Sequence, residues 1–250
     1  KTTDMLLLRS LPTSAGQAGT YATYTNIGEV KNNGVEVTIN TRNIVKKNFQ
    51  WNSTLTFSAN SEKIVDLIDG SDIQLGNDKE SSTLMIGHPI KSFQGYKYLG
   101  IWTTAEAEEA AKYFSDDNKT QAFKPGDIKT QDTDGDNVIK DADYVYLGST
   151  SPKWFAGFNN DFKIGNFDVN LYLYARWGHW GESPLSNFNP ETGGDYTTMD
   201  YWVAGTNENA DFPALQKGKK FSDYVGYLGM KYCEKSFIKL KRFTVGYTLP

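Results

Sequence analysis

The residues best placed to do chemistry in this 250-residue chain are four aspartates in one short run: Asp132, Asp134, Asp136 and Asp143. Their spacing is that of a calcium loop, with carboxylates at loop positions one, three and five and another acid at twelve. The backbone carbonyl of Val138 would supply position seven, and Ile139 takes the apolar place after it. Asn137 stands where Gly is usual at the sharp turn, and Asn enters the left-handed region more readily than most residues. Asp143 stands where Glu is usual, and its shorter arm makes bidentate ligation harder. Carboxylates this crowded repel one another unless a cation or strong hydrogen bonds compensate. The run therefore predicts a structural Ca2+ loop or, without metal, an Asx-rich turn. Its flanks read as loop and strand, so no helix-flanked sensor is expected.

The second dense cluster is Arg176-Trp177-Gly178-His179-Trp180-Gly181. Arg176, Trp177 and Trp180 are candidate substrate-binding residues, since indoles and a guanidinium at a strand end can form a platform for a sugar. The competing reading is an aromatic girdle at a membrane interface, where Trp and Tyr gather because one end of the ring is apolar and the other wet. Catalysis has little material. There are two histidines, His88 and His179, and one cysteine, Cys233, too few for a disulfide or a Cys-based metal cluster. No Ser–His–Asp signature and no Gly-rich phosphate loop occurs, and no carboxylate pair stands out from its context. We expect no enzyme, and no redox or nucleotide cofactor.

The elements that must carry these residues alternate with period two. Val35, Val37 and Ile39 alternate with polar neighbours. Phe49, Trp51, Leu55, Phe57 and Ala59 share one face, with Gln50, Asn52, Thr54, Thr56 and Ser58 on the other. Trp154, Ala156, Phe158 and Phe162 repeat the pattern, as do Phe167, Val169, Leu171, Leu173 and Ala175, and Lys163-Ile164-Gly165-Asn166 reads as the turn between these two runs. A phase shift near Arg242, where Ile238 and Leu240 give way to Phe243 and Val245, predicts a bulge. Runs of about ten residues exceed the usual globular strand of ~5–6 and suit the ~9–11 of a tilted membrane strand. Alternation alone leaves open a barrel or a large antiparallel sandwich.

Residues 60–95, 103–150 and 178–235 read as loops. One helix is expected over Ala105 to Phe114, because Thr103 and Glu106 have capping-box spacing. Hydrophobic residues make up 38% and aromatic residues 14%, and mean hydropathy is −0.55. No apolar run approaches a membrane helix, a statement that does not touch a β-barrel. The net charge of −4 and the lack of a basic block argue against nucleic-acid binding.

Several blocks, in order, carry a family resemblance: Asn26-Ile-Gly-Glu29 through Gly34-Val-Glu36; Gly87-His-Pro89-Ile90 with Phe93-Gln-Gly95-Tyr96; Gly100-Ile-Trp102; Lys124-Pro-Gly126-Asp127-Ile128 running into the aspartate loop; Ser151-Pro-Lys153 with Gly157-Phe-Asn159-Asn160; and Ser236-Phe-Ile-Lys239-Leu-Lys241 with Val245-Gly-Tyr-Thr-Leu-Pro250. Lys91 stands where the family commonly has Gly. The set resembles the C-terminal barrel segment of the SusC/RagA-like TonB-dependent outer-membrane transporters of Bacteroidota, over most of positions 21 to 250.

The resemblance implies an all-β fold. Antiparallel amphipathic strands would form part of a large transmembrane β-barrel, with long extracellular loops and one short helix. Residues 1–250 would be a partial barrel domain lacking the signal, TonB box, plug and final strands, with about ten strands present. Polar faces would line the lumen and apolar faces would meet outer-membrane lipid. Ser61 to Gln94, the Ala105 helix with the Asp132 loop, and Gly178 to Lys235 would lie outside the cell. The implied function is import of oligosaccharides or peptides with a SusD-like surface lipoprotein, energised by the TonB complex through the plug. The alternative expectation is a soluble extracellular carbohydrate-binding β-sandwich with structural calcium.

Overall fold

The computed structural model describes residues 2–3, 6–10, 22–26, 28–184 and 200–249. The chain divides into two compact units. One, the wall unit, takes Lys1–Ser92, Ser149–Trp180 and Glu234–Pro250; the other, the outer unit, takes Phe93–Gly148 and Gly181–Cys233.

The wall unit is built on five long antiparallel strands: β1 (Gly28–Lys46), β2 (Phe49–Leu67), β3 (Trp154–Ile164), β4 (Phe167–Trp177) and β5 (Phe237–Tyr247). Their order in the sheet is β5-β4-β3-β2-β1. The pairs β1–β2 and β3–β4 are joined by tight turns, while β2 pairs with β3 across the whole first excursion of the chain, Phe57 facing Ala156 and Leu55 facing Phe158. Where about ten strands were expected, the described residues hold five in this sheet, a separate short hairpin, Leu6–Ser10 with Ala22–Asn26, and four two-stranded ladders of short strands.

Register places the alternating side chains as the sequence predicts. Residues opposite one another in an antiparallel pair share a face. Val37, Phe57, Ala156, Ala175 and Ile238 therefore form one row, and Ile39, Leu55, Phe158, Leu173 and Leu240 the next. The predicted bulge near Arg242 is present: the pairing of β4 with β5 shifts between Tyr172 and Leu173, skipping Lys241. A second bulge in β1 skips Asn43 and brings Ile44 opposite Trp51.

The apolar rows are not covered. Ile238 is 65% exposed, Leu240 54%, Val35 52% and Ile39 47%. A sandwich would bury these under a second sheet, so the face shows what a barrel wall shows to lipid. Two polar residues on this face, Ser53 and Asn160, are buried and satisfied. Asn160 Oδ1 accepts from Ser53 Oγ at 2.7 Å and from Trp51 Nε1 at 3.0 Å. Polar atoms facing hydrocarbon need such partners because lipid offers none.

Dimensions agree. Strands β3, β4 and β5 have 11 residues each. At ~3.3 Å per residue and a tilt of ~40°, such a strand crosses about 27 Å, close to the ~25 Å apolar band of a membrane barrel. Aromatic rings mark both edges. Trp154 stacks on Trp177 at 5.8 Å at one end, and Trp51 on Phe162 at 5.7 Å with Phe167 against Tyr247 at the other. Strands β1 and β2 run for 19 residues and outreach the band. Residues 60–67, expected as loop, are thus strand, closed by a small core of Val30, Ile64, Leu67 and Leu84.

The outer unit has little regular structure and two buried clusters. Ile101, Ile128, Trp202, Ala210, Phe212, Tyr224 and Met230 form one; Trp102, Ala110, Phe123 and Ile139 form the other. The expected helix is shorter than its pattern. A 3-10 turn, Thr104–Glu106, carries the predicted capping box and passes into α1 (Ala107–Ala110). It stops there because Phe114 is claimed by bridges to Ala122 and Val138. Of the loop stretch 178–235, residues 185–199 lie outside the described residues. No described helix is long and apolar enough to cross a membrane.

Candidate functional site

The aspartate run folds into a closed loop. Asp132, Asp134 and Asp136 each bring a carboxylate oxygen within 4.8 Å of the other two. The turns that gather them are Asx turns: Asp132 accepts the N–H of Gly135 at 2.7 Å and of Asn137 at 2.9 Å, Asp134 that of Asp136, and Asp136 that of Val138. Gly135 (φ 80°) and Asn137 (φ 64°) lie in the left-handed region. Asn137 there fills the role that the pattern normally gives to Gly. The loop is pinned from below. Phe114 donates to the Asn137 carbonyl at 2.9 Å and accepts from Ile139 at 2.8 Å, and Val138 and Ile139 are buried.

Asp143 stands apart from the three. It is fully buried, and its carboxylate accepts the N–H groups of Thr133 at 2.7 Å and Lys140 at 2.9 Å. It holds both ends of the loop together through backbone donors. Lys140 also pairs with Asp136, and that contact pulls the Asp136 carboxyl below its ordinary range. A divalent cation seated on Asp132, Asp134 and Asp136 would compete with this ammonium.

Beside the loop, a cleft of about 340 Å³ is lined by Trp102, Tyr113, Lys129, Thr130, Asp132 and Asn137 among others. Lys129 lies 4.3 Å from the Trp102 ring centre and 2.6 Å from Glu106, whose carboxyl it holds below the usual range. Sequence reasoning did not single out this cleft. Its signals were Trp102 within a family block and Asp132 and Asn137 within the aspartate loop, and nothing joined them because its walls come from segments that no periodicity links.

The Arg176–Trp180 cluster is dispersed by strand alternation. Arg176 faces the polar side of β4, where Nη2 donates to the Thr150 carbonyl at 3.0 Å. Trp177, one residue on, points to the apolar side and stacks on Trp154 as part of the aromatic edge. Trp180 lies beyond the end of β4 in a short strand, Trp180–Glu182. The three do not form one platform. His179 is buried after the strand end, with its ring edge-on to Phe237 at 6.0 Å; burial, then the Arg176 charge, pushes its pKa down.

No family model matches the chain. Individual relatives do. A TonB-dependent receptor of Formosa agariphila is 34% identical over 263 residues, spanning all of this chain and 24% of its own length. The TonB-dependent receptor SusC of Bacteroides thetaiotaomicron is 26% identical over 237 residues, spanning 89% of this chain. The chain belongs to the SusC/RagA-like TonB-dependent receptors. It is a stretch of an outer-membrane β-barrel, and it spans about a quarter of the length of the curated relatives it matches. Solved structures agree on the fold. The RagAB peptide transporter superposes with a TM-score of 0.65 at 20% identity over 99% of this chain, and the RagAB peptide importer in its open-open state with 0.66 at 21%.

Proposed function

We propose that the receptor carrying this chain imports an oligosaccharide or peptide across the outer membrane, with a SusD-like lipoprotein as lid and TonB as energy source. The observation that carries this reading is the two-faced wall: one exposed apolar face bounded by aromatic rows, and one polar face rich in Asn, Thr, Tyr, Lys and Arg. A wall of this kind encloses a hydrated lumen and performs no chemistry of its own. The long connections leave the strand ends opposite the tight turns, as extracellular loops of such barrels do. The test is uptake of labelled oligosaccharide and peptide pools by native cells with and without the receptor gene, and again without TonB. Uptake lost in both deletions is the expected result. Uptake unchanged by either deletion would remove the reading.

The loop Asp132–Asp143 has a supporting part in this proposal. Ca2+ would sit on Asp132, Asp134, Asp136 and the Val138 carbonyl, stiffening the excursion, while Asp143 closes the loop from behind. Titrating the purified receptor with Ca2+ in a calorimeter should show saturable heat below millimolar concentration, the weak end for extracellular modules. Asp132→Asn combined with Asp134→Asn should abolish it. A flat titration would refute the metal.

A further inference from the structure

The polar face of the wall carries a ladder of four cations that form no ion pair among the described residues. Arg176 lies opposite Phe237, Tyr174 opposite Lys239 and Tyr172 opposite Arg242, with Lys241 as the bulged residue between. All four cations stand on one side. Lys241 reaches to 5.1 Å from the Tyr174 ring centre, Lys239 to 5.1 Å from Phe237 and Arg242 to 5.9 Å from Tyr172. Among the described residues none of the four forms an ion pair. Among the described residues Arg242 donates to the side-chain carbonyls of Asn170 and Asn159, and Arg176 Nε is buried with no acceptor.

The acids that share this face form no ion pair with the four cations among the described residues, although Asp161 lies one polar row from Arg242 and is linked to it through Asn159 and Asn170, and Glu62 lies on β2. Asp161 and Asp168 sit toward the tight-turn end, and the Asp161 carboxylate is taken up by the amides of Asn159 and Asn170. Glu36 is on β1, three strands away from β4. The β5 bulge matters to this arrangement. It inserts Lys241 between Lys239 and Arg242, so three cations crowd where regular pairing would present two. Three exposed cations so close together raise the local positive potential and favour an anion that comes to them. The rings matter as well: Phe155 and Phe237 both lie opposite Arg176 on this face, and Phe155 is 43% exposed. The exposed Phe155 ring and the half-buried Tyr172, Tyr174 and Phe237, interleaved with these cations, suit a sugar ring that bears an acid group, its C–H face on an aromatic and its carboxylate or sulfate on Lys or Arg.

We infer that the wall selects an acidic solute, an oligosaccharide bearing carboxylate or sulfate, and binds it on Arg176, Lys239, Lys241 and Arg242. The inference rests on the import reading and names its substrate class. The test uses the full-length receptor purified from outer membranes with any lipoprotein that accompanies it. Its probes are oligogalacturonate and the methyl ester of the same oligomer, and sulfated dextran oligosaccharide with its unsulfated parent. The charged member of at least one pair should bind about tenfold tighter than its neutral twin, less so as salt rises. Lys239→Gln with Lys241→Gln should erase the difference while neutral binding persists. Equal binding of charged and neutral twins, binding of none, or a variant that melts lower yet keeps the preference would overturn it; the last would assign the cations to holding another part of the receptor. Uptake that persists in cells while charge preference is absent would sink this inference alone and leave the import reading standing.

Discussion

The wall and the outer unit of this chain solve folding for two different solvents. The wall carries 16 Lys and Arg against 12 Asp and Glu, the outer unit 10 against 18. The wall leaves Ile238, Leu240, Phe243 and Val245 uncovered and is held by ladder pairing between long strands in near-continuous register. The outer unit buries Phe212, Ile128 and Trp202 and has few ladders longer than three or four residues. Hydrophobic burial in water organises the second. It cannot organise a face that stays exposed, so lipid is the medium in which the first makes sense. The contrast teaches that exposed apolar area, read with strand alternation, says more about environment than overall composition does.

The sharpest way to break that contrast is charge on the apolar face. Leu173→Arg sits in a middle row between Phe158 and Leu240. It should destabilise the barrel by about 2–4 kcal/mol, the cost of a cation near the bilayer midplane. Thr38→Arg, in a polar row, should cost almost nothing. Urea unfolding of the full receptor in lipid vesicles measures both, and equal effects would dissolve the distinction between faces.

In the outer unit the comparable weak point is a buried carboxylate. Asp143→Ala strips the N–H groups of Thr133 and Lys140 of their acceptor. The expected cost is about 2–3 kcal/mol. Limited proteolysis should cut the 130–143 stretch first, with the wall unaffected. A wall that loosens together with the loop would show that the units are not separable in stability.

A smaller effect follows from acid. Glu208 accepts the Gly205 N–H at 2.7 Å and both the hydroxyl and the N–H of Thr104, and its pKa is held down at about 2 from an ordinary 4.5. A depressed carboxyl stabilises the fold above its unfolded value and loses that contribution as pH falls. The Glu208 share is thus present above about pH 4.5 and fades toward pH 2. Melting temperature followed across that window should fall less steeply for Glu208→Gln than for the native chain.

Much of the wall was legible because a strand exposes its period directly. Phe49 to Ala59 and Phe167 to Ala175 gave both strand and face, and the phase slip around Arg242 gave the bulge. The β1 bulge at Asn43 was not seen, because Ile44 and Val45 adjoin and blur the phase there. Pairing of β2 with β3 was out of reach, since nothing local marks Phe57 and Ala156 as neighbours. The aspartate loop was legible from spacing, down to Asn137 in the left-handed region. The different position of Asp143 was not, because burial decides whether a carboxylate faces a cation or backbone donors. The Arg176–Trp180 cluster misled as a unit for a simple reason: adjacent residues on a strand point to opposite sides.

The most direct test of the two-faced wall is a cysteine scan along β4, residues 167–177, in the full-length receptor with Cys233→Ser, kept in native outer membranes. Each position is labelled with an environment-sensitive fluorophore and challenged with a lipid-borne nitroxide quencher and with a water-soluble one. Positions 169, 171 and 173 should be quenched from lipid, and 170, 172 and 174 from water or not at all. A scan without this alternation, with every position open to water, would contradict a wall that faces lipid on one side and a hydrated lumen on the other.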